Sequence, residues 1–187
     1  MTLTEPFAEV AHPPALSLPD WPAEPPPVDP TATSYTVVAI GPHPHTRDVA
    51  GAWVTHAAGC APTTLLVLDG LADPRDRAAL ARALGRARTG VRVMVVGGQH
   101  DVLGALTAAR DAGAIDAELS AFCVHTDDLP MYCAHCCATH RAEAAPGDEV
   151  TCPGCGRLLE IHAHFTRALG AFLASDARAG ELPETAR

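Results

Sequence analysis

The 187-residue sequence contains no lysine, so arginine supplies every permanent positive charge. The 13 arginines stand against 22 acidic residues, which gives a formal net charge of −9 at pH 7. Proteins that bind nucleic acids neutralise phosphates with lysine and arginine, usually clustered on one face. The acidic balance therefore argues against a nucleic-acid partner.

Long apolar runs are also missing, since no stretch approaches the roughly 20 apolar residues that a membrane-spanning helix needs. Residues 1–10 have neither the basic region nor the apolar run of a secretory signal. Disulfide frameworks are typical of secreted proteins. We therefore expect a cytoplasmic protein without a membrane role, in which paired cysteines favour metal binding over disulfides.

Aromatic residues are scarce at 4%, although hydrophobic residues make up 48% of the chain and suffice for a core. Nine of the 17 prolines lie in residues 1–33. Because proline lacks the amide donor that sheets and helices use, this segment is predicted to be an extended arm. Trp21, with Leu16, Leu18 and Pro22 nearby, is predicted to anchor the arm, either on this chain or on a partner.

Residues 34–129 alternate between strand-like apolar runs and helix-like segments. Four strands are predicted, at 35–40, 63–68, 91–96 and 119–124. Three helices are predicted between them, at 47–58, from the capping pair Asp73-Pro74 to Gly90, and at 102–112. Strands that alternate with helices imply a small α/β domain with a parallel sheet and crossover helices.

Histidines and glycines follow these strands at the carboxyl edge, where parallel sheets bind ligands. His43 and His45 follow the first strand, and the run 97–101, which contains His100, follows the third. However, no glycine-rich dinucleotide motif or phosphate-loop lysine is present, and Pro42 removes an amide that a phosphate site would use. The pattern favours surface loops over a catalytic centre.

Two C-x-x-C pairs mark the C-terminal third, with fifteen residues between them. Their members are Cys133, Cys136, Cys152 and Cys155. This spacing is typical of a four-cysteine zinc ribbon. Four thiolates around one ion form a closed tetrahedral site without a position for water or substrate. Gly154 and Gly156 allow the tight turn that the second pair requires.

Other residues offer alternatives to this ligand set. Nearby side chains that could replace a cysteine ligand are Cys137, His135 and His140. Cys136 is preferred because it keeps both pairs at the same spacing. Cys60 and Cys123 lie in apolar surroundings and are predicted to be small core residues.

The segments around the second pair predict three further elements. Residues 141–144 and 149–151 are predicted to form a hairpin around the turn at 145–148. Residues 159–165 alternate and predict a half-buried strand, with Leu159, Ile161, Ala163 and Phe165 inward. His162 and His164 point to the other face, where a solvated or interface role is expected.

Four apolar residues from the end of this strand onwards recur at helical spacing and predict a C-terminal helical stripe. They are Phe165, Leu169, Phe172 and Leu173. The stripe is expected to cover either this chain or a partner. The predicted organisation is a proline-rich arm at 1–33, an α/β domain at 34–129, a zinc ribbon with the stripe at 130–175, and a tail at 176–187.

Three runs in the C-terminal third carry a family resemblance: M-Y-C-A-H-C at 131–136, V-T-C-P-G-C-G-R at 150–157 and H-A-H-F-T-R-A-L-G-A-F-L at 162–173. They resemble the small A subunit of bacterial dimethylamine monooxygenase, the DmmA-like family. The resemblance implies that the four cysteines of the two pairs bind the metal. It also implies an auxiliary subunit of a multisubunit, NADPH-dependent enzyme that oxidatively demethylates dimethylamine to methylamine and formaldehyde.

The same resemblance implies that flavin, iron–sulfur and NADPH sites lie on partner subunits, which include a reductase of the ferredoxin-reductase type. Residues 91–114 are similar to the last βα unit of such a reductase's nucleotide lobe. That lobe has a C-G-P-type turn where this chain has Gly97-Gly98-Gln99. The departure predicts a degenerate lobe that serves assembly.

Three functions are compatible with these features. The leading hypothesis is an auxiliary oxygenase subunit, not catalytic alone, in which one structural zinc maintains the ribbon and subunit assembly. Because four thiolates also suit a single iron, the second is a rubredoxin-like electron-transfer subunit. The third is a zinc-ribbon adaptor unrelated to catalysis.

Overall fold

The structure, a computed structural model, describes residues 17–179, and the first part of this range forms a parallel sheet with helices. Its elements are β1 (Ser34–Ile40), α1 (Pro44–Ala58), β2 (Thr63–Leu68), α2 (Pro74–Gly85), β3 (Val91–Gly98), α3 (Gln99–Asp111), a 3-10 turn (Asp116–Glu118) and β4 (Leu119–His125). The strand order is β2-β1-β3-β4, and every neighbouring pair is parallel. The predicted parallel α/β sheet is therefore confirmed.

Local sequence explains where the helices begin and end. The Asp73 side chain accepts a hydrogen bond from the Arg75 amide and caps α2, as predicted. The predicted end of α2 at Gly90 is wrong, because Gly90 has a φ of +87° and forms the turn that leads into β3. α1 begins at Pro44, earlier than predicted, since proline is tolerated in the first turn of a helix.

The two faces of the sheet are covered differently. α2 and α3 pack on one face and bury Leu80, Leu84 and Leu106 against β1 and β3. α1 packs on the other face through Val49 and Trp53. Aliphatic side chains dominate both clusters, in agreement with the low aromatic content. The two central strands of the parallel sheet, β1 and β3, are therefore buried on both faces.

The described part of the arm lies on this chain's own sheets. Trp21 packs against the cores of both sheets and donates a hydrogen bond from Nε1 to Gln99 Oε1, at 3.0 Å. Further along, the Trp53 indole donates to the Pro26 carbonyl at 2.9 Å, and Asp29 pairs with Arg92 at 2.7 Å. Trp21 is thus an intrachain anchor, whereas Leu16 lies outside the described residues.

A second sheet of five strands follows. Its strands are β5 (Leu129–Cys133), β6 (Ala138–Ala142), β7 (Glu149–Thr151), β8 (Leu158–Thr166) and β9 (Ala171–Asp176). They are ordered β6-β5-β9-β8-β7, with β5 and β9 parallel and the other pairs antiparallel. Leu159, Ile161 and Phe172 form much of its core. The predicted strand after the second cysteine pair is confirmed as β8.

The predicted hairpin between residues 141–144 and 149–151 is wrong. β6 pairs with β5 and β7 pairs with β8, so each C-x-x-C turn closes a hairpin of its own. The turn at 145–148 does form, with the Ala145 amide donating to Asp148 Oδ2 at 2.8 Å. It connects the two hairpins, because the tight cysteine turns already reverse the chain on both sides of it.

The predicted C-terminal helical stripe is also wrong. Residues 167–170 form a turn between β8 and β9, and Gly170 has a φ of +60° there. Phe165 and Phe172 lie opposite each other across the hairpin, with ring centroids 5.6 Å apart. A spacing of seven residues fits two helical turns, but it also fits two strand positions joined by a short turn. Pairing with β5 and β8 decides in favour of the strand.

The two sheets share contacts. Leu103 of α3 packs into the core of the second sheet. Arg141 of β6 forms ion pairs with Asp101 of α3 and Asp128, which precedes β5.

The domain boundaries proposed from the sequence stay a prediction. None of the helices in residues 17–179 combines the length and apolar character that crossing a membrane requires.

Candidate metal centre

The two cysteine turns bring four thiols into one cluster. Cys133 is the last residue of β5, and Cys152 directly follows β7. Their partners Cys136 and Cys155 lie in the turns that follow. All four sulfur atoms lie within 4.8 Å of one another. The cluster contains the four cysteines that the spacing singled out.

The sulfur positions fit a tetrahedral metal site. The Sγ atoms of Cys133 and Cys155 are 3.7 Å apart, and those of Cys136 and Cys152 are 3.8 Å apart. A tetrahedron with metal–sulfur bonds of about 2.3 Å has edges of about 3.8 Å. A disulfide needs a sulfur separation of about 2.05 Å, and all four cysteines are free. The donor set therefore suits a thiophilic ion such as zinc.

The two cysteine turns have matching backbone geometry. The Cys137 amide donates to the Cys133 carbonyl at 2.9 Å, and the Gly156 amide donates to the Cys152 carbonyl at 2.8 Å. Both donors have left-handed backbone conformations, with φ of 55° for Cys137 and 73° for Gly156. Glycine adopts this conformation readily, whereas a residue with a Cβ does so at a cost. The first turn is therefore the more strained of the two.

We expect Cys137→Gly to stabilise the protein by about 0.5–1 kcal/mol, because glycine relieves the strain but loses more conformational entropy on folding. Denaturant unfolding of the metal-loaded protein measures this difference. Cys60→Gly serves as the control, since Cys60 does not have a positive φ and should gain nothing. Equal effects of the two substitutions would contradict this explanation.

A histidine from the neighbouring strand contacts the cluster. Nε2 of His140, on β6, lies 3.6 Å from Cys136 Sγ, within hydrogen-bonding distance of a sulfur. Gly154 leaves room for this ring, because a Cβ at that position would lie 2.8 Å from the imidazole and 3.3 Å from Cys136 Sγ. Gly154 is thus required because the His140 ring packs closely against its Cα, and not because its backbone has a positive φ. His140 contacts one sulfur of the cluster and lies outside the group of four thiols.

Gly154→Ala should displace the His140 ring and destabilise the protein by about 1–3 kcal/mol, the usual cost of overpacking. Unfolding free energy reports the cost, and the NMR signal of the His140 imidazole reports the lost contact with sulfur. The comparison is Gly51→Ala, a position in α1 with nothing within 4 Å of the added methyl group. That substitution should stabilise by about 0.5–1 kcal/mol, so the two alanines differ in sign.

The thiols of the cluster differ in acidity. Burial opposes ionisation of Cys133, but backbone amides of Cys136 and His135 and the thiols of Cys136 and Cys152 lower its pKa to about 7. Burial and the neighbouring sulfurs of Cys133 and Cys152 raise the pKa of Cys136 to about 12. The neighbouring sulfurs thus oppose a further negative charge in the cluster. A cation held between the four sulfurs would offset this repulsion.

The remaining predicted residues lie elsewhere. His135 and Cys137 are exposed and outside the cluster. The prediction for Cys60 is wrong, because it is exposed at the turn after α1. Cys123 is half-buried, and burial raises the pKa of its thiol to about 11. His162 makes a 2.7 Å hydrogen bond with Ser175 of β9, and His164 is exposed beside Ser17.

The loops at the carboxyl edge of the parallel sheet contain no further group of metal-ligand type among residues 17–179. His43 and His45 are exposed, and the His43 ring lies 6.1 Å from that of His125. The imidazole of His125 lies against Gly98, where an added Cβ would approach it to 2.6 Å. His125 therefore occupies the space next to the end of β3.

The geometry supports a closed site made of four sulfurs. Comparison with known proteins shows that the segment around this site is similar to a known family. Residues 130–174 match the dimethylamine monooxygenase subunit DmmA-like C-terminal domain. This confirms the resemblance seen in the three sequence runs. The match covers both cysteine turns and ends within β9.

A curated relative extends the similarity into the parallel sheet. It is the heme-dependent oxidative N-demethylase delta subunit of Ectopseudomonas mendocina (strain ymp), which is 29% identical over 145 residues. The aligned region covers 77% of this chain and 79% of the relative. No solved structure matches the chain. The likeness of residues 91–114 to a reductase nucleotide lobe stays a prediction.

Proposed function

We propose that this protein is an auxiliary subunit of an N-demethylating oxygenase. The single observation that carries the proposal is the closed cluster of four sulfurs, within a segment that matches the DmmA-like C-terminal domain. The similarity to the delta subunit of an oxidative N-demethylase supports the same class of complex. In this proposal the chain contributes assembly, and the oxygen chemistry belongs to other subunits.

The metal in the proposal is one zinc ion, held by Cys133, Cys136, Cys152 and Cys155. Zinc supplies a redox-inactive tetrahedral centre that crosslinks the two hairpins. Four protein ligands leave no position for substrate, so the site supports structure rather than hydrolysis or oxygen binding. His140 orients Cys136 through its contact with sulfur, as supporting residues around metal sites commonly do.

The substrate and cofactors of the complex follow from the resemblance. We propose dimethylamine as the amine that is demethylated, with electrons from NADPH passing through flavin and iron–sulfur groups on a reductase subunit. The relative is named as heme-dependent, so haem is a further group expected on a partner subunit. None of these groups is assigned to residues of this chain.

A tagged chromosomal copy of the gene in its native host tests the proposal. The chain should co-purify with a haem-containing subunit, and the complex should release formaldehyde from dimethylamine in a reaction that requires NADPH. The chain purified alone should release none. Purification of the chain without partners, or formaldehyde release by the isolated chain, would contradict the proposal.

A further inference from the structure

The outer edge of the parallel sheet carries exposed apolar side chains. β2 is a terminal strand of that sheet, and within residues 17–179 it pairs only with β1. Leu65 and Val67 are 46% and 65% exposed, although both lie in the middle of a strand. Their β1 partners, Val37 and Ala39, are buried. An edge strand of this kind can accept a further strand from another protein.

The other face of β2 borders a positively charged helix. Thr64 and Leu66 line a groove of about 410 Å³ together with Arg82 and Arg86 of α2 and the turn after it. Both arginines are exposed. In the part of the chain that the structure describes, neither side chain forms an ion pair. The groove therefore offers two arginines to a partner.

This charge contrasts with the rest of the molecule. Residues 73–88 contain five arginines and two aspartates, in a chain whose net charge is −9. The two aspartates already accept hydrogen bonds from backbone amides: Asp73 from Arg75, and Asp76 from Asp69 and Gly70. The arginine surface beside β2 is thus a local positive patch on an acidic protein.

We propose that β2 docks an extended acidic segment of another protein as an additional strand. Side chains alternate between the two faces of a strand, so alternate residues of an added strand would contact opposite faces of the sheet. One set would pack on Leu65 and Val67 and should be apolar. The other set would face Arg82 and Arg86 and should be acidic. The partner segment is therefore an alternation of acidic and apolar residues.

A second copy of this chain fits the edge poorly. Antiparallel pairing of two β2 strands about a twofold axis would place both α2 helices on the same face of the joined sheet. Arg82 and Arg86 of the two copies would then face each other across the new strand pair, where like charges are unfavourable. The net charge of −9 also opposes association of identical chains. The positive groove favours an acidic partner.

NMR titration of the isolated full-length protein tests this docking without any oxygenase subunit. The probe is a capped peptide of four Glu-Val repeats, and the matched control peptide has four Lys-Val repeats. We expect the Glu-Val peptide to shift the backbone amides of β2 and the side-chain signals of Arg82 and Arg86. Added salt should weaken this binding, because exposed charges are screened. The Lys-Val peptide should leave these signals unchanged.

Charge reversal provides the matched variants. Arg82→Glu combined with Arg86→Glu should weaken Glu-Val binding about tenfold, the effect of two exposed ion pairs. Arg47→Glu combined with Arg178→Glu makes the same change in net charge at exposed positions outside β2 and α2, and should alter binding less than twofold. Val67→Asp should weaken binding through the apolar face.

Three outcomes would overturn the inference. The first is a Glu-Val peptide that leaves the β2 amides unmoved, and the second is equal binding of the two peptides. The third is a change in the β2 signals with protein concentration alone, which would identify a second copy as the occupant. Each result leaves the proposed oxygenase role standing, because that role is tested on the native complex.

Discussion

Cys152→Ser is expected to lose the metal and to unfold the five-stranded sheet. The Cys152 side chain is 1% exposed, and its sulfur lies 3.8 Å from that of Cys136. Structural zinc contributes an apparent binding free energy of about 10–16 kcal/mol in small zinc domains, and this energy is also folding energy. A whole domain is stable by only about 5–15 kcal/mol. We therefore expect the metal-binding free energy that is lost with one ligand to exceed the unfolding free energy of the sheet.

Metal content and hydrogen exchange measure this result together. The serine variant should contain much less than one zinc per chain, and the amides of β5 and β8 should exchange rapidly. Cys60→Ser is the matched control, because Cys60 is exposed and lies outside the cluster. It should keep its zinc and its protected amides. A Cys152→Ser protein with full zinc and a protected sheet would contradict a structural metal role.

Arg141→Met is expected to destabilise the protein by about 2–4 kcal/mol. Arg141 pairs with Asp128 and lies 3.7 Å from Asp101, and these two aspartates are only 3% and 5% exposed. Removal of the cation leaves the buried Asp128 carboxylate without its ion-pair partner and deprives Asp101 of one of its two cationic neighbours. Breaking a buried ion pair in this way typically costs about 3–5 kcal/mol. The Arg141 side chain is 45% exposed, so solvent screening reduces the expected cost.

The pH dependence of this effect has a definite sign. Burial opposes ionisation of Asp101, but the neighbouring His100 imidazole, the hydrogen bond from the Leu71 amide and the charge of Arg141 hold its pKa below the usual value. A carboxyl group with a lowered pKa stabilises the fold above its unfolded pKa, and this contribution is lost as the pH falls. The difference between wild type and Arg141→Met should therefore be full at pH 7 and shrink below about pH 4.

Denaturant unfolding of wild type and Arg141→Met at pH 7 and below about pH 4 checks this prediction. Arg157→Met provides the control, because it removes an ion pair with Asp176 at the surface of the second sheet. An exposed pair of this kind typically contributes about 0–1 kcal/mol. Similar losses for the two variants would show that burial of Asp101 and Asp128 does not determine the cost. A loss for Arg141→Met that is independent of pH would contradict the electrostatic explanation.

Local sequence signals predicted the features that depend on local chemistry. The two C-x-x-C pairs indicated the cysteine cluster because the spacing of thiols along the chain follows from the tight turns that present them. The alternation of apolar runs with capped helices indicated the parallel sheet. Asp73-Pro74 even identified the start of α2. Each single turn, helix start or apolar run is marked by a few neighbouring residues.

Features that depend on distant contacts could not be predicted in the same way. The pattern of Phe165, Leu169 and Phe172 fits a helix, and only pairing of β9 with β5 and β8 decides otherwise. Arg141 meets Asp101 across 40 positions of sequence, and no motif marks that contact. The role of Gly154 is a close approach of His140, which requires the fold of both hairpins. Such contacts become visible only in three dimensions.

We propose that a redox-inactive zinc holds the two hairpins together. Metal analysis combined with a visible absorbance spectrum distinguishes zinc from iron, on protein purified alone after expression with ample iron and zinc. We predict about one zinc per chain and a colourless protein. Stoichiometric iron with thiolate charge-transfer bands would contradict the claim, because the four cysteines would then form an electron-transfer site.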